Sequence, residues 1–293
     1  MRKFLLPLVC CVVSIANAQT FGWWADHVKW DGVSHWSKYI ITQPAYLGPN
    51  ALPVPRIGNG NIDSISSISL TGNLHFSKGD NTQNLTLYGN YFLVKGLISF
   101  DVSWVPYEYY TMSHEMKEKR NVFSHFYYDR HATGDIHLNT NIRLLKKWEK
   151  QVQLALRLGY RFPTSSGLGM ARFTDAPGYY FDLSFGKPFH STNLKWVGMM
   201  GFYSWQLISD THRQNDAFLF GSGLEWNTKT LRLQSYVAGY IGYMNNGGDK
   251  PVVFRTSLEK KLKRTSLLAG FQQGLHDFRY TSVEMGLKYR FSK

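Results

Sequence analysis

Hydrophobic and polar residues alternate with a period of two along most of this chain. That is the mark of strands whose two faces meet different surroundings. Between Ser67 and Phe76, residues Ile68, Leu70, Leu74 and Phe76 share one face, and Ser67, Ser69, Thr71, Asn73 and His75 share the other. The rhythm recurs over about 84–92, 98–104, 135–144, 152–162, 179–185, 218–226, 231–241, 252–259, 265–275 and 281–291. One further segment, Leu194 to Trp205, is apolar on both faces, so its sides stay unassigned. A helix would need apolar residues at i, i+3 and i+4. It would also scatter Arg143 and Arg157 onto its apolar side.

The pattern predicts about twelve strands of roughly ten residues. Links after even-numbered strands are short, as at 93–95, 146–150, 188–192, 227–228 and 261–263. Links after odd-numbered strands are longer, as at 107–133, 163–177, 207–215 and 244–250, with short exceptions near Asp80 and Asp277. Outer-membrane barrels alternate short periplasmic turns with long outer loops in this way. A soluble sandwich also alternates, but with shorter strands of about 5–6 residues and its apolar face inward. The expectation is an all-β fold: a transmembrane antiparallel β-barrel of about 12 strands over residues 62–293, with the N-terminus of the mature chain in the periplasm. In the last strand, Val283, Met285, Leu287, Tyr289 and Phe291 should face lipid, and Glu284, Lys288 and Arg290 the lumen.

The first 61 residues differ. Arg2 and Lys3 precede an apolar run, Phe4 to Ile15, and the small-residue site Ala16-Asn17-Ala18. This reads as a cleaved signal peptide over 1–18, too short to span a bilayer as a helix. Both cysteines, Cys10 and Cys11, fall inside it, so no disulfide is expected in the mature chain. Residues 19–61 hold Trp23, Trp24, Trp30 and Trp36, then Pro44, Pro49, Pro53 and Pro55. Proline at that density opposes central strands. This stretch reads as an irregular extension, either periplasmic or a plug entering the lumen.

Mean hydropathy is −0.29, yet aromatics reach 16 %. A barrel can place such rings on its lipid face and in interfacial girdles. The net charge is +13. An exported chain makes nucleic acid an unsuitable partner. Expected partners are outer-membrane lipids and lipopolysaccharide, the barrel assembly machinery and a small solute of unknown identity. The final Leu287-Lys288-Tyr289-Arg290-Phe291 resembles the C-terminal signal read by that machinery, although Ser292 and Lys293 follow it.

The polar faces carry the candidate chemistry. Asp101, Asp135, His137, Arg143, Arg157, Arg161, Asp182, Glu225, Arg232, Arg255, Glu259, Glu284, Lys288 and Arg290 are expected to line the lumen. Lumen charges tune selectivity in a wide barrel and form ion-paired filler in a narrow one. A serine hydrolase would need His within reach of Ser and a third group orienting the His. No His-x-Ser pair falls within a strand; His75 and Ser77 stand at a strand end, and His131 has only Thr133 nearby. The histidine pairs His125/His131 and His27/His35 lack a metal-ligand spacing, and Gly58-Asn59-Gly60 lacks the strand-to-helix context of a nucleotide loop. No catalytic residue, metal or cofactor is expected. The reading favours a channel or transporter for small solutes in the outer membrane of a Gram-negative bacterium. A lipid-modifying hydrolase of the phospholipase A or lipid A deacylase type and a closed structural barrel are the alternatives.

One stretch of about fifty residues adds to this. Gly134-Asp135-Ile136 opens a strand, and Arg161-Phe162-Pro163-Thr164-Ser165-Ser166-Gly167 follows. Pro177-Gly178-Tyr179-Tyr180-Phe181-Asp182 then opens the next strand. The run resembles the outer-membrane barrels of the phenol-degradation meta-pathway transporter-like family. The resemblance implies an outer-membrane barrel passing small hydrophobic or aromatic compounds.

Overall fold

A computed structural model describes residues 22–123, 130–145, 151–190, 192–207, 213–243 and 247–291. The expected signal peptide lies outside the described residues. Twelve long strands form the wall: β1 Ser67–Phe76, β2 Asp80–Val94, β3 Ile98–Met112, β4 Ile136–Arg143, β5 Gln153–Phe162, β6 Gly178–Pro188, β7 Leu194–Gln206, β8 Gln214–Asn227, β9 Leu231–Gly242, β10 Val252–Lys261, β11 Thr265–His276 and β12 Thr281–Arg290. Each pairs antiparallel with its sequence neighbours. β12 returns to β1 in an unbroken register from Ser67 opposite Arg290 to Phe76 opposite Thr281. Closure is obligatory in lipid, where an open edge leaves backbone groups unsatisfied at roughly several kcal/mol each. A two-residue bridge, His131–Ala132, extends β3 through Glu108 and Tyr109. The β2–β3 register shifts between Leu85 and Leu87, where Tyr107 and Trp104 stand opposite. Pro106 sits in the irregular stretch of β3 between them, a place where its missing N–H does no harm to the ladder.

Burial inverts the pattern of a soluble protein. Leu70, Leu74, Leu158, Phe181, Met200, Leu258, Met285 and Leu287 are exposed, while Ser69, Asn73, Asn84, Asp182, Glu225 and Ser282 are buried. The apolar faces therefore point out and the polar faces point in around most of the wall, while β7–β9 also carry apolar side chains inward. In β12, Val283, Met285, Leu287 and Tyr289 are exposed outward. β7 also resolves: Trp196 and Met200 are exposed outside, whereas Val197, Met199, Tyr203 and Trp205 are buried inside. Its inner face is apolar because something apolar packs on it.

That something is the N-terminal segment. Ile40, Leu47, Ala51, Leu52, Val54 and Ile57 form one buried cluster with Val197, Met199, Tyr203, Leu219, Tyr236 and Tyr240 of the wall. Burying such side chains contributes roughly 1.5–3 kcal/mol each. The prolines at 44, 49, 53 and 55 give up their N–H groups but keep their carbonyls, and donors from the wall meet carbonyls of the segment. Arg161 donates to the Ala51 carbonyl at 3.2 Å, Tyr240 to Leu52 at 2.8 Å and Arg255 to Val54 at 2.7 Å, and the Tyr280 hydroxyl oxygen lies 3.2 Å from the Leu47 carbonyl oxygen. At Gly60, φ is +76° and a Cβ would stand 2.3 Å from the Gln153 carbonyl oxygen. Only glycine fits that approach.

The segment also corrects an expectation. The alternation of short and long links puts the N-terminus of the mature chain at the barrel end where β1 starts. Residues 22–39 instead pack on the long β3–β4 connection at the opposite end. Trp24 Nε1 donates to the Asn121 carbonyl at 3.1 Å, and Asn121 Nδ2 donates to Tyr39 O at 3.0 Å. The physical cause is the cluster of buried apolar side chains at residues 40–57, which draws the chain through the lumen before β1 begins.

Candidate functional site in the lumen

Thirteen of the fourteen expected lumen residues lie on strands, all with their side chains on the inner face. Asp135 stands just before β4 instead of within it. It accepts the backbone N–H groups of Thr164 and Ser165 at 3.0 and 2.9 Å and pairs with Arg161 at 3.0 Å. His137 faces inward on β4, opposite Arg161 of β5. Arg157 meets Asp182 at 2.7 Å across the β5–β6 pair. Asp101 accepts from Asn90 at 2.5 Å and Asn141 at 2.7 Å. Arg255 donates to Gln272 as well as to the segment.

Glu225 is fully buried and gathers three groups at the short-turn end. Arg232 lies at 2.7 Å and Lys195 at 3.7 Å, and Asn59 of the N-terminal segment donates at 3.0 and 3.1 Å. Glu259 pairs with Arg290 and lies 4.0 Å from Lys288. Glu284 pairs with Arg56 of the segment. Arg143 faces inward at the same end, where its guanidinium comes within 4 Å of a Cβ built at Gly96. Several wall carboxylates thus hold the inserted segment, and the wall arginines hold its carbonyls.

A second knot was not visible in the sequence. At the long-loop end, Asp80 meets Arg120 at 2.6 Å and Arg172 at 2.5 Å, and Arg172 meets Glu108 at 2.9 Å, all with side chains fully buried. Asn50 of the segment donates to Glu108 at 2.8 Å, and Tyr280 donates to Asp80 at 2.7 Å. The Arg172 guanidinium also lies 4.4 Å over the Tyr110 ring. Burial opposes the Arg172 charge, but the Asp80 and Glu108 carboxylates outweigh it and its pKa stands above the usual guanidinium value. Arg120 and Arg172 come from connections, where no period-two pattern marks a residue as inward. Such buried pairs are costly to break from one side, at about 3–5 kcal/mol.

A third constellation joins three strands. His75 stands directly opposite Ser282 in the β1–β12 register, and its Nδ1 lies 2.7 Å from Ser282 Oγ. Its Nε2 lies 2.9 Å from the Asn84 amide on β2. Sequence reasoning paired His75 with Ser77 and missed Ser282, because the partner is 207 positions away. The signal was the closure register itself. All three side chains are buried on the lumen side. No cluster of three or more potential metal ligands occurs among the described residues.

The comparisons with known proteins bear on the fold. No family model matches the sequence, and no curated protein matches it. Among solved structures, an outer membrane channel from Pseudomonas putida F1 aligns with a TM-score of 0.55 and 8 % identity, covering 81 % of this chain and 100 % of that one. The translocator domain of the autotransporter NalP from Neisseria meningitidis aligns at 0.47 and 13 % identity, covering 79 % and 90 %. The β-domain of the Bordetella autotransporter BrkA aligns at 0.43 and 13 % identity, covering 78 % and 100 %. This chain is a closed, twelve-stranded antiparallel β-barrel similar in fold to an outer membrane channel.

Proposed function

We propose that the chain is an outer-membrane channel of restricted bore, with its short turns in the periplasm, passing small solutes between the N-terminal segment and a charged wall. One observation carries this reading. The wall closes without the segment, yet its inner face presents donors and acceptors along the whole path the segment takes. A wall that closes by its own ladders around an insert held by both polar contacts and an apolar cluster is the arrangement of a constricted passage. The apolar outer belt supports placement in a bilayer. Membership of the phenol-degradation meta-pathway transporter-like family is part of the proposal, resting on the Gly134–Ile136, Phe162–Gly167 and Pro177–Asp182 motifs. The charged wall favours solutes that carry a polar group. Planar-bilayer recording on folded protein tests the reading. Discrete ion conductance is expected, and electrical silence from protein proven to be inserted would sink it.

A hydrolase is the second reading, and Asn84–His75–Ser282 is the observation that favours it. A serine hydroxyl beside an imidazole is the starting arrangement of an activated serine, but here the Asn84 amide nitrogen donates to Nε2, so Nδ1 carries the proton toward Ser282 and the ring would have to exchange tautomers before acting as a base. The lipid-modifying version would need the serine on the outer face, whereas this one faces the lumen and is buried. A fluorophosphonate probe should leave Ser282 unlabelled in the folded chain. Labelling that disappears in Ser282→Ala would favour the hydrolase.

A further inference from the structure

The two rims of the barrel differ in charge. At the short-turn end, the described connections after even-numbered strands are all flanked by cations on the outer surface. Lys95 follows β2, Lys187 ends the outward face of β6, Lys229 lies between β8 and β9, and Lys260, Lys263 and Arg264 surround the β10–β11 turn. All six are exposed. Among the described residues none of their side chains makes an ion pair or a hydrogen bond; Asp63, ahead of β1, is an exposed carboxylate at this end, while Glu225 and Glu259 face the lumen and are held there by other cations. The long-loop rim instead mixes signs, with Asp26, Asp31, Glu115, Glu118 and Asp277 beside Lys38, Lys78, Lys119, Lys250 and Arg279.

Position matters as much as sign. Lys260 stands on the outward face between Leu258 and Leu262, which are 37 % and 51 % exposed. Lys95 directly follows the exposed Leu93 and Val94, and exposed Phe189 and Trp226 flank Lys187 and Lys229. The cations therefore sit at the edge of the apolar belt, where a lipid headgroup lies and long amphipathic side chains extend toward water. An unpaired ammonium at that depth is matched by a phosphodiester that carries its own net negative charge.

We propose that this collar is a binding surface for anionic phospholipid headgroups, so that the barrel gathers a shell of phosphatidylglycerol-class lipid around its short-turn rim. The inference rests on the reading of the chain as a membrane barrel, but not on conduction. Ion pairs with several lipids would fix the depth of the barrel in its bilayer and would be screened by salt. Lys187 and Lys260 point outward from their strands and the other four are exposed in the turns beside them, which separates this surface from the lumen cations Lys195, Arg232, Lys288 and Arg290, held by Glu225 and Glu259.

The test uses the full mature chain folded into nanodiscs of phosphatidylethanolamine with a minor fraction of phosphatidylglycerol. The protein is extracted in mild detergent and its retained lipids are measured by mass spectrometry. Retained phosphatidylglycerol should exceed its bulk fraction several-fold. It should fall to the bulk fraction in the combined K187Q/K229Q/K260Q/K263Q/R264Q variant and stay enriched in a K78Q/K119Q control at the other rim. Heat-modifiable gel mobility checks that each variant is folded, and single substitutions at Lys260 and Lys229 provide a graded series if the combined variant is not. Retention at the bulk fraction by the wild type, or undiminished enrichment in the collar variants, overturns the proposal. A chain that never enters the nanodisc overturns the membrane reading with it.

Discussion

Leu287 and Glu284 lie three residues apart in β12 and face opposite ways. Leu287 is 59 % exposed on the outer surface, level with Leu70 of β1 and Leu267 of β11. Glu284 faces the lumen and pairs with Arg56, whose side chain is largely exposed. Placing a guanidinium at a mid-membrane lipid-facing site costs about 2–4 kcal/mol. Loss of a partly solvated pair costs about 1 kcal/mol or less. Leu287→Arg should therefore fail to accumulate as a heat-modifiable barrel in the membrane fraction, while Glu284→Gln assembles near wild-type yield. Equal assembly of the two would show the register of β12 to be wrong by one residue. At this scale the sequence was legible, because lipid on one side and polar lumen on the other sort neighbouring residues strictly. It was not legible for Arg120, Arg172 or the Ser282 partner of His75. Those depend on connections folding inward and on the closure register, neither of which leaves a local period.

Among the connections, that between β9 and β10 holds a carboxyl whose pKa is raised into the neutral range. Its Gly248 carbonyl accepts the Ala45 N–H of the inserted segment at 3.2 Å. Next to it, the Asp249 carboxyl accepts from Asn215, and its other oxygen is buried with no partner. Burial pushes the Asp249 pKa up to about 7; the Asn215 hydrogen bond lowers it and the nearby Asp277 charge raises it. Asp277 in turn lies 3.2 Å from His276 and accepts the Lys250 N–H. In the unfolded chain Asp249 would titrate near 3.9. A carboxyl raised on folding is most favourable when protonated. Its contribution is thus complete below about pH 4 and is lost as pH rises through about 7. The thermal midpoint in detergent should fall between pH 5 and pH 8, and Asp249→Asn should flatten that fall. An unchanged slope in the variant would place the titration elsewhere. The same element scale shows what composition could convey about residues 19–61. The prolines excluded a wall strand, and the aromatics demanded burial. The choice between lumen and periplasm needed the apolar inner face of β7, which alternation alone could not assign.

For the whole molecule, the route of the chain fixes which parts lie at which end of the barrel. Residues 22–39 rest on the long β3–β4 connection, held by Trp24, by Asn121 and by His27 Nε2 at 2.9 Å from the Glu118 carbonyl oxygen. The chain then passes through the lumen past Tyr280, Arg161, Tyr240 and Arg255 in turn. It reaches Asn59 beside Glu225 at the short-turn end before β1 starts at Ser67. The N-terminal segment is thus one further crossing, inside the barrel and perpendicular to no ladder. If, as proposed, the short turns lie in the periplasm, residues 22–39 lie on the cell exterior. Val33 is 89 % exposed and belongs to this outer group, whereas Lys229 lies in a short turn at the other rim. An epitope inserted after Val33 should bind antibody on intact cells, and one inserted at Lys229 should bind only after the outer membrane is permeabilised. The reverse pattern would invert the barrel in its membrane. Concealment of both epitopes until permeabilisation would mean that in the cell the segment does not cross the lumen, and the constricted-channel reading would lose its constriction.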